Sequence, residues 1–184
     1  MKKHKYSADF KWLMGLTLWF WGGSGAVANA GTTATDQPLV VMAAKKLGVR
    51  ACLPAITQTA TANSAGAVEQ NIVVDWNRKT PNASPFFSMT ALGSATSHAI
   101  LSITAIPLPH GGCALMVQRI FSSQDSCSLI AQRDLTAYVG GQLINDVLIY
   151  NNPARPEETY TLMQNTNNCT IIFRNDIPKW QAGG

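Results

Sequence analysis

Hydrophobic and polar positions along this 184-residue chain follow three different rhythms, and each predicts a different kind of structure. Residues 12–21 are almost continuously apolar, preceded by Lys2, Lys3, Lys5 and Lys11 and followed by glycines and by Ala28-Asn29-Ala30. A basic start, an apolar stretch of about ten residues and small side chains at a cleavage point read as a secretory signal peptide over residues 1–30. The stretch is shorter than the roughly 20 residues that a spanning helix needs, so no anchor remains after cleavage. The mature chain, residues 31–184, is expected to be a single disulfide-bonded domain that opens on a polar leader, GTTATDQ, and closes on a loose tail from Asp176.

The second rhythm is helical. Leu39, Val40, Ala43 and Leu47 recur at helical spacing between Asp36 and Gly48, which predicts an N-terminal helix. Cys127, Ile130, Ala131, Leu135 and Tyr138 share one stripe and predict a central helix near residues 125–138. Asp125 or Ser126 would cap it, and Gly140-Gly141 would end it. Between Thr57 and Ala67 the residues are small, with nothing large to anchor them, so that segment reads as a mobile loop.

The third rhythm belongs to strands. Short runs rich in β-branched residues, bounded by Pro, Gly and Asn, predict strands near Gln70–Trp76, Pro85–Leu92, His98–Ile106, Cys113–Phe121, Leu143–Tyr150, Thr159–Met163 and Cys169–Arg174. No internal repeat is evident. The expected class is α+β: an antiparallel-rich sheet of about seven strands, packed against an N-terminal helix and one central helix.

Cys52, Cys113, Cys127 and Cys169 all lie in the mature part, and an even number in an exported domain predicts two disulfides. Metal binding would need closer spacing than the 14 residues that separate the nearest pair. If strands alternate in direction, Cys113 and Cys169 open strands at the same end of the sheet. Cys127 lies a whole strand away from Cys113, beyond the roughly 7 Å that bridged α-carbons allow. The expected pairs are therefore Cys113–Cys169 and Cys52–Cys127.

Charge changes the picture only slightly. The formal net charge of +4 shrinks once the leader is removed, leaving ten basic and nine acidic side chains. A nearly neutral surface lacks the basic footprint of a nucleic-acid partner. The chain has no phosphate loop, dinucleotide fingerprint or calcium loop, so no cofactor is expected.

Candidate chemistry is sparse. The mature chain holds two histidines, His98 and His110, in no recognisable catalytic frame. A small exported hydrolase would have to use one of them, with Asp75 or Asp146. Trp76, Arg78 and Lys79 place an aromatic ring and two cations at a strand end, and His110 sits in a Pro-Gly turn, so these four are the candidate binding residues. The leading expectation is an exported, non-enzymatic binding module, periplasmic or secreted. Its partner would be another envelope or secreted protein: the chain would act as an accessory subunit of an envelope complex, or as an inhibitor or immunity-type protein.

Overall fold

The computed structural model describes residues 4–5 and 37–180. Apart from His4 and Lys5, the expected signal peptide and leader lie outside the described residues, as do residues 181–184.

The elements run β1 (His4–Lys5), α1 (Leu39–Lys46), α2 (Leu53–Asn63), β2 (Glu69–Asp75), β3 (Phe86–Gly93), β4 (His98–Pro107), β5 (Cys113–Ser123), α3 (Cys127–Asp134), β6 (Val139–Ile144), β7 (Val147–Asn152), β8 (Arg155–Gln164) and β9 (Cys169–Trp180). All strands join one antiparallel sheet in the order β1-β2-β3-β4-β5-β9-β8-β7-β6. The α+β expectation stands in coarse form, with one helix and one major strand more than the sequence pattern suggested.

That strand order has an internal symmetry. Each half is a helix followed by a four-strand meander: α2 with β2–β5, and α3 with β6–β9. The fourth strands, β5 and β9, pair antiparallel at the centre, with Gln118 opposite Arg174 and the pairs Val117–Asn175 and Arg119–Phe173 on either side. Each half also closes its own disulfide, from a cysteine at the helix start to the first residue of the fourth strand: Cys52–Cys113 and Cys127–Cys169. A pseudo-two-fold axis through the Gln118–Arg174 pair relates the halves. The sequence reading found no repeat; the repeat lies in topology and staples.

These pairings replace the expected Cys113–Cys169 and Cys52–Cys127. Segment 139–152, read as a single strand from Leu143, is a hairpin of two strands, turned at Asn145-Asp146 with Asp146 in the left-handed region (φ 63°). One strand too few after α3 reverses the direction of the last one. With the hairpin counted, Cys113 lies opposite the β9 end at Trp180, whereas Cys169 lies opposite Ser123. Ten residues at about 3.3 Å put these two cysteines roughly 33 Å apart.

Gly140 and Gly141 do not cap the central helix but lie inside β6. A Cβ at Gly140 would strike the Tyr150 ring, so glycine there makes room for a cross-strand aromatic. Helix α3 starts where expected: the Ser126 hydroxyl accepts from the Leu129 amide at 3.3 Å, and the Cys127 amide donates to Gln164 Oε1 at 2.8 Å. It ends at Asp134, earlier than the stripe to Tyr138 suggested.

The expected loop at 57–67 is largely helix α2. Pro54 suits its first turn, and the buried Ala55, Ile56, Thr59 and Ala60 form its inner face. Small side chains here are a packing device that lets the helix sit close to β4 and β5, under the Cys52–Cys113 staple. The tail is also ordered further than expected: β9 runs to Trp180, whose Nε1 donates to Gln58 Oε1 on α2 at 3.1 Å.

Each half has its own core. The first gathers Val40, Val41, Ile56, Phe86, Leu101 and Ile103 with the Cys52–Cys113 staple; the second gathers Ile130, Leu135, Leu162 and Ile171 with Cys127–Cys169. Register places every one of these strand residues on the same side of the sheet. Both helical layers therefore cover one face only.

Candidate functional site

The uncovered face is the most extensive feature that the fold leaves without an internal role. Its residues alternate with the core residues along each strand, as pleating requires. One row crosses the sheet in register as Ala91, Ile100, Ile120, Ile172, Thr161 and Ile149. Phe87, Met89 and Met116 lie beside it, and the two methionines are each 41% exposed. At the centre of this face, Arg174 is paired within the chain to Asp176 at 3.6 Å. Glu69 and Asp75 sit at the two ends of the outlying strand β2. The middle of the surface thus sets this row beside a polar one, Ser102, Gln118, Arg174 and Thr159, and its central charges offset each other.

Its dimensions follow from strand geometry. Eight strands about 4.8 Å apart and six residues at about 3.3 Å give roughly 38 by 20 Å, or some 750 Å². That is close to the roughly 800 Å² per partner of a standard protein interface.

The residues singled out from sequence fall elsewhere. Trp76, Arg78 and Lys79 follow β2, and His110 lies in the β4–β5 turn, so all four occupy one end of the sheet, a few strand spacings apart. The Arg78 guanidinium stacks over the Trp76 ring at 5.3 Å from its centre, and Trp76 packs on the first core. The Asn77 side chain accepts from the Lys79 amide at 3.0 Å, forming a local turn. Asn82 in the same loop accepts from the Arg50 and Ala51 amides at 2.6 and 3.0 Å, tying this loop to the α1–α2 junction. The arrangement is a cationic and aromatic end next to the open face.

The histidines are not brought into any common site. His98 begins β4 and His110 follows its far end, about ten residues or roughly 33 Å away. Ser94 Oγ, close to His98 in sequence, is engaged with Ser97 Oγ at 2.8 Å. Register sets Asp146 at the same end as His98 but about four strand spacings, roughly 19 Å, across the sheet. Asp75 shares the end of His110 but is separated from it by two or more strands. Among the described residues, no group of three or more His, Cys, Asp and Glu could hold a metal ion.

On the helical face, the seam between the halves carries a polar and aromatic cluster that sequence reading missed. Tyr138 donates to Glu158 Oε2 at 3.1 Å, while Arg155 pairs with Glu158 Oε1 at 3.0 Å. Tyr160 meets Tyr138 edge-on, with ring centres 5.3 Å apart, and Phe173 at 5.0 Å. Arg119 and Asn175, at positions equivalent under the pseudo-two-fold, line this seam, and Arg119 Nε and Asn175 Oδ1 find no hydrogen-bond partner among the described residues.

Burial, with the nearby Tyr138 hydroxyl and Glu158 carboxylate, raises the Tyr160 phenol above the usual tyrosine range. The unfolded chain then releases this proton first as pH rises past about 10, so the stability held below that pH is lost through the alkaline range. Tyr160→Phe should flatten the fall of stability with pH above about 10 while leaving neutral-pH stability nearly unchanged. Urea unfolding across the alkaline range measures the slope; equal slopes in the two proteins would contradict the assignment.

Two disulfides are compatible with a periplasmic or extracellular location. Among the described residues, no helix is long and apolar enough to cross a membrane. No family model, curated protein or solved structure matches the chain.

Proposed function

We propose that this chain is an exported, non-enzymatic binding module, serving as an accessory subunit of an envelope complex or as an inhibitor or immunity-type protein. Its docking surface is the uncovered sheet face, and its partner is another envelope or secreted protein. One observation carries the reading: the nine-stranded sheet has both helical layers on one side and a largely apolar in-register row on the other. Apolar surface of this extent in water favours association, because covering it removes it from solvent. A neutral centre suits a partner selected by shape and by hydrogen bonds from Ser102, Thr104, Gln118 and Thr161 along the same face.

Arg78, Lys79 and His110 lie at one end of the sheet, with Trp76 packed on the first core beside them, and would form a polar rim to this surface. Such rims set orientation and encounter rate, while the apolar centre supplies most of the affinity.

The test is affinity capture from the envelope and secreted fractions of the protein's own cell, using the wild type beside Met116→Asp and Ile120→Asp. A charge in the centre of the face should reduce capture at least tenfold, equivalent to about 1.4 kcal/mol. Met116 is 41% exposed, so its replacement should leave the thermal midpoint nearly unchanged. Lys79→Ala, at the rim, should weaken capture by much less. A stoichiometric partner retained equally by all variants would move the docking surface elsewhere, and no partner above background would count against a binding module.

A further inference from the structure

We propose that the seam between the two helical layers is a binding site for an apolar α-amino acid, free or as the last residue of a peptide, recognised through its carboxylate and the adjacent N–H. The site lies on the helical side of the sheet, opposite the open face, and does not depend on the docking surface there.

Topology makes the seam. Helix α2 packs over β4 and β5 and α3 over β8, so β9, which runs between β5 and β8, lies where the two layers part. On its inner side β9 carries Phe173 and Asn175, opposite Arg119 and Val117 of β5 and opposite Tyr160 and Glu158 of β8. Arg119 and Asn175 are therefore diagonal neighbours, about 7–8 Å apart at their α-carbons. Both are half-buried.

Their polar atoms are left open. Arg119 Nε, a donor, and Asn175 Oδ1, an acceptor, are buried and bond neither to each other nor to any other described residue. Glu158, the carboxylate that register sets beside Asn175, is already engaged by Arg155 and Tyr138. The Arg119 guanidinium instead stands over the Phe121 ring, 5.6 Å from its centre, which holds it in place without neutralising it. The seam thus offers a fixed cation and, diagonally across, an unpaired carbonyl.

A carboxylate answers the first and an N–H the second. Beside Asn175 a cleft of about 220 Å³ opens between α2 and the sheet, walled by Ala62, Val117, Ile177 and Trp180. It is smaller than the roughly 300–1,000 Å³ of drug-sized sites, and these walls are apolar, so it takes a single apolar side chain. Carboxylate, N–H and apolar side chain around one carbon are the parts of an apolar α-amino acid. A simple carboxylic acid would leave Asn175 Oδ1 unpaired, and an amide would give the guanidinium a neutral partner in place of a charged one.

The test is calorimetric titration of the protein purified from its own cell, both disulfides formed, with leucine, N-acetyl-leucine and N-acetyl-leucinamide, each to about 10 mM, a range that captures millimolar association. Leucine or its acetyl form should bind, and the leucinamide, which lacks the carboxylate, should bind at least tenfold more weakly. Tighter binding of free leucine would assign the site to a free amino acid, and tighter binding of the acetyl form to a peptide end. Asn175→Asp places a carboxylate beside Arg119, so it should abolish binding while the thermal midpoint stays unchanged or rises. Arg119→Gln, which keeps much of the side chain and loses the charge, should weaken the carboxylate probes at least tenfold. No binding of any probe would overturn the proposal. So would equal affinity for the carboxylate and its amide, or binding retained by both variants.

Discussion

Replacing Cys52 and Cys113 together by alanine should lower stability by about 4 kcal/mol, the chain-entropy value for a loop of this size. The staple closes 61 residues, and its two cysteines are 1% exposed, at the base of the first core. The corresponding change at Cys127 and Cys169, which closes 42 residues, should cost nearly as much, because the entropy depends only on the logarithm of loop length. Urea unfolding of each double variant checks this. Each staple lies within one half, so hydrogen exchange should accelerate first in the half that lost it. Uniform acceleration across both halves would contradict the two-core description.

Truncating Phe86 to alanine should cost about 3–5 kcal/mol, the range for a fully buried aromatic side chain. Phe86 is 1% exposed and shares a row with Ala105, Leu115 and Ile177 on the helix-covered side. Its neighbour Phe87 points the other way, so Phe87→Ala should cost less than roughly half as much, since partial exposure removes most of the cavity term. Comparing unfolding midpoints of the two variants measures how one-sided the sheet is. Equal losses would mean that the outer face is as well packed as the inner one.

Much of this architecture was legible because period-two alternation is a local signal. Glu69–Asp75, Phe86–Gly93, His98–Pro107 and Cys113–Ser123 lie within a few residues of the predicted strands. Helix α2 was missed because Ala55, Thr59 and Ala60 are too small to mark a hydrophobic stripe, although small size is what allows close contact with the sheet. The β6–β7 hairpin was missed because Gly140-Gly141 imitates a helix stop and Asn145-Asp146 interrupts an otherwise apolar run. That omission inverted the last strand and, with it, the disulfide pairing.

The repeat had a faint trace in sequence: the two cysteine-led strands read Cys-Ala-Leu-Met-Val-Gln-Arg and Cys-Thr-Ile-Ile-Phe-Arg-Asn. The open face could not be found in the same way. Alternation reveals that a strand has two faces, but only the placement of both helical layers on one side decides which face stays uncovered. The seam cluster of Tyr138, Glu158 and Tyr160 likewise joins residues whose proximity depends on register.

The central claim, that the open sheet face is the docking surface, is tested most directly by site-specific photo-crosslinking in the protein's own cell. A photoreactive side chain would replace Ile120 or Ile172 on the open face, and Met42 or Leu129 on the helical face as controls. The account predicts a discrete crosslinked protein from Ile120 and Ile172, with no such band from Met42 or Leu129. Crosslinks confined to the helical positions, with none from the open face, would contradict it.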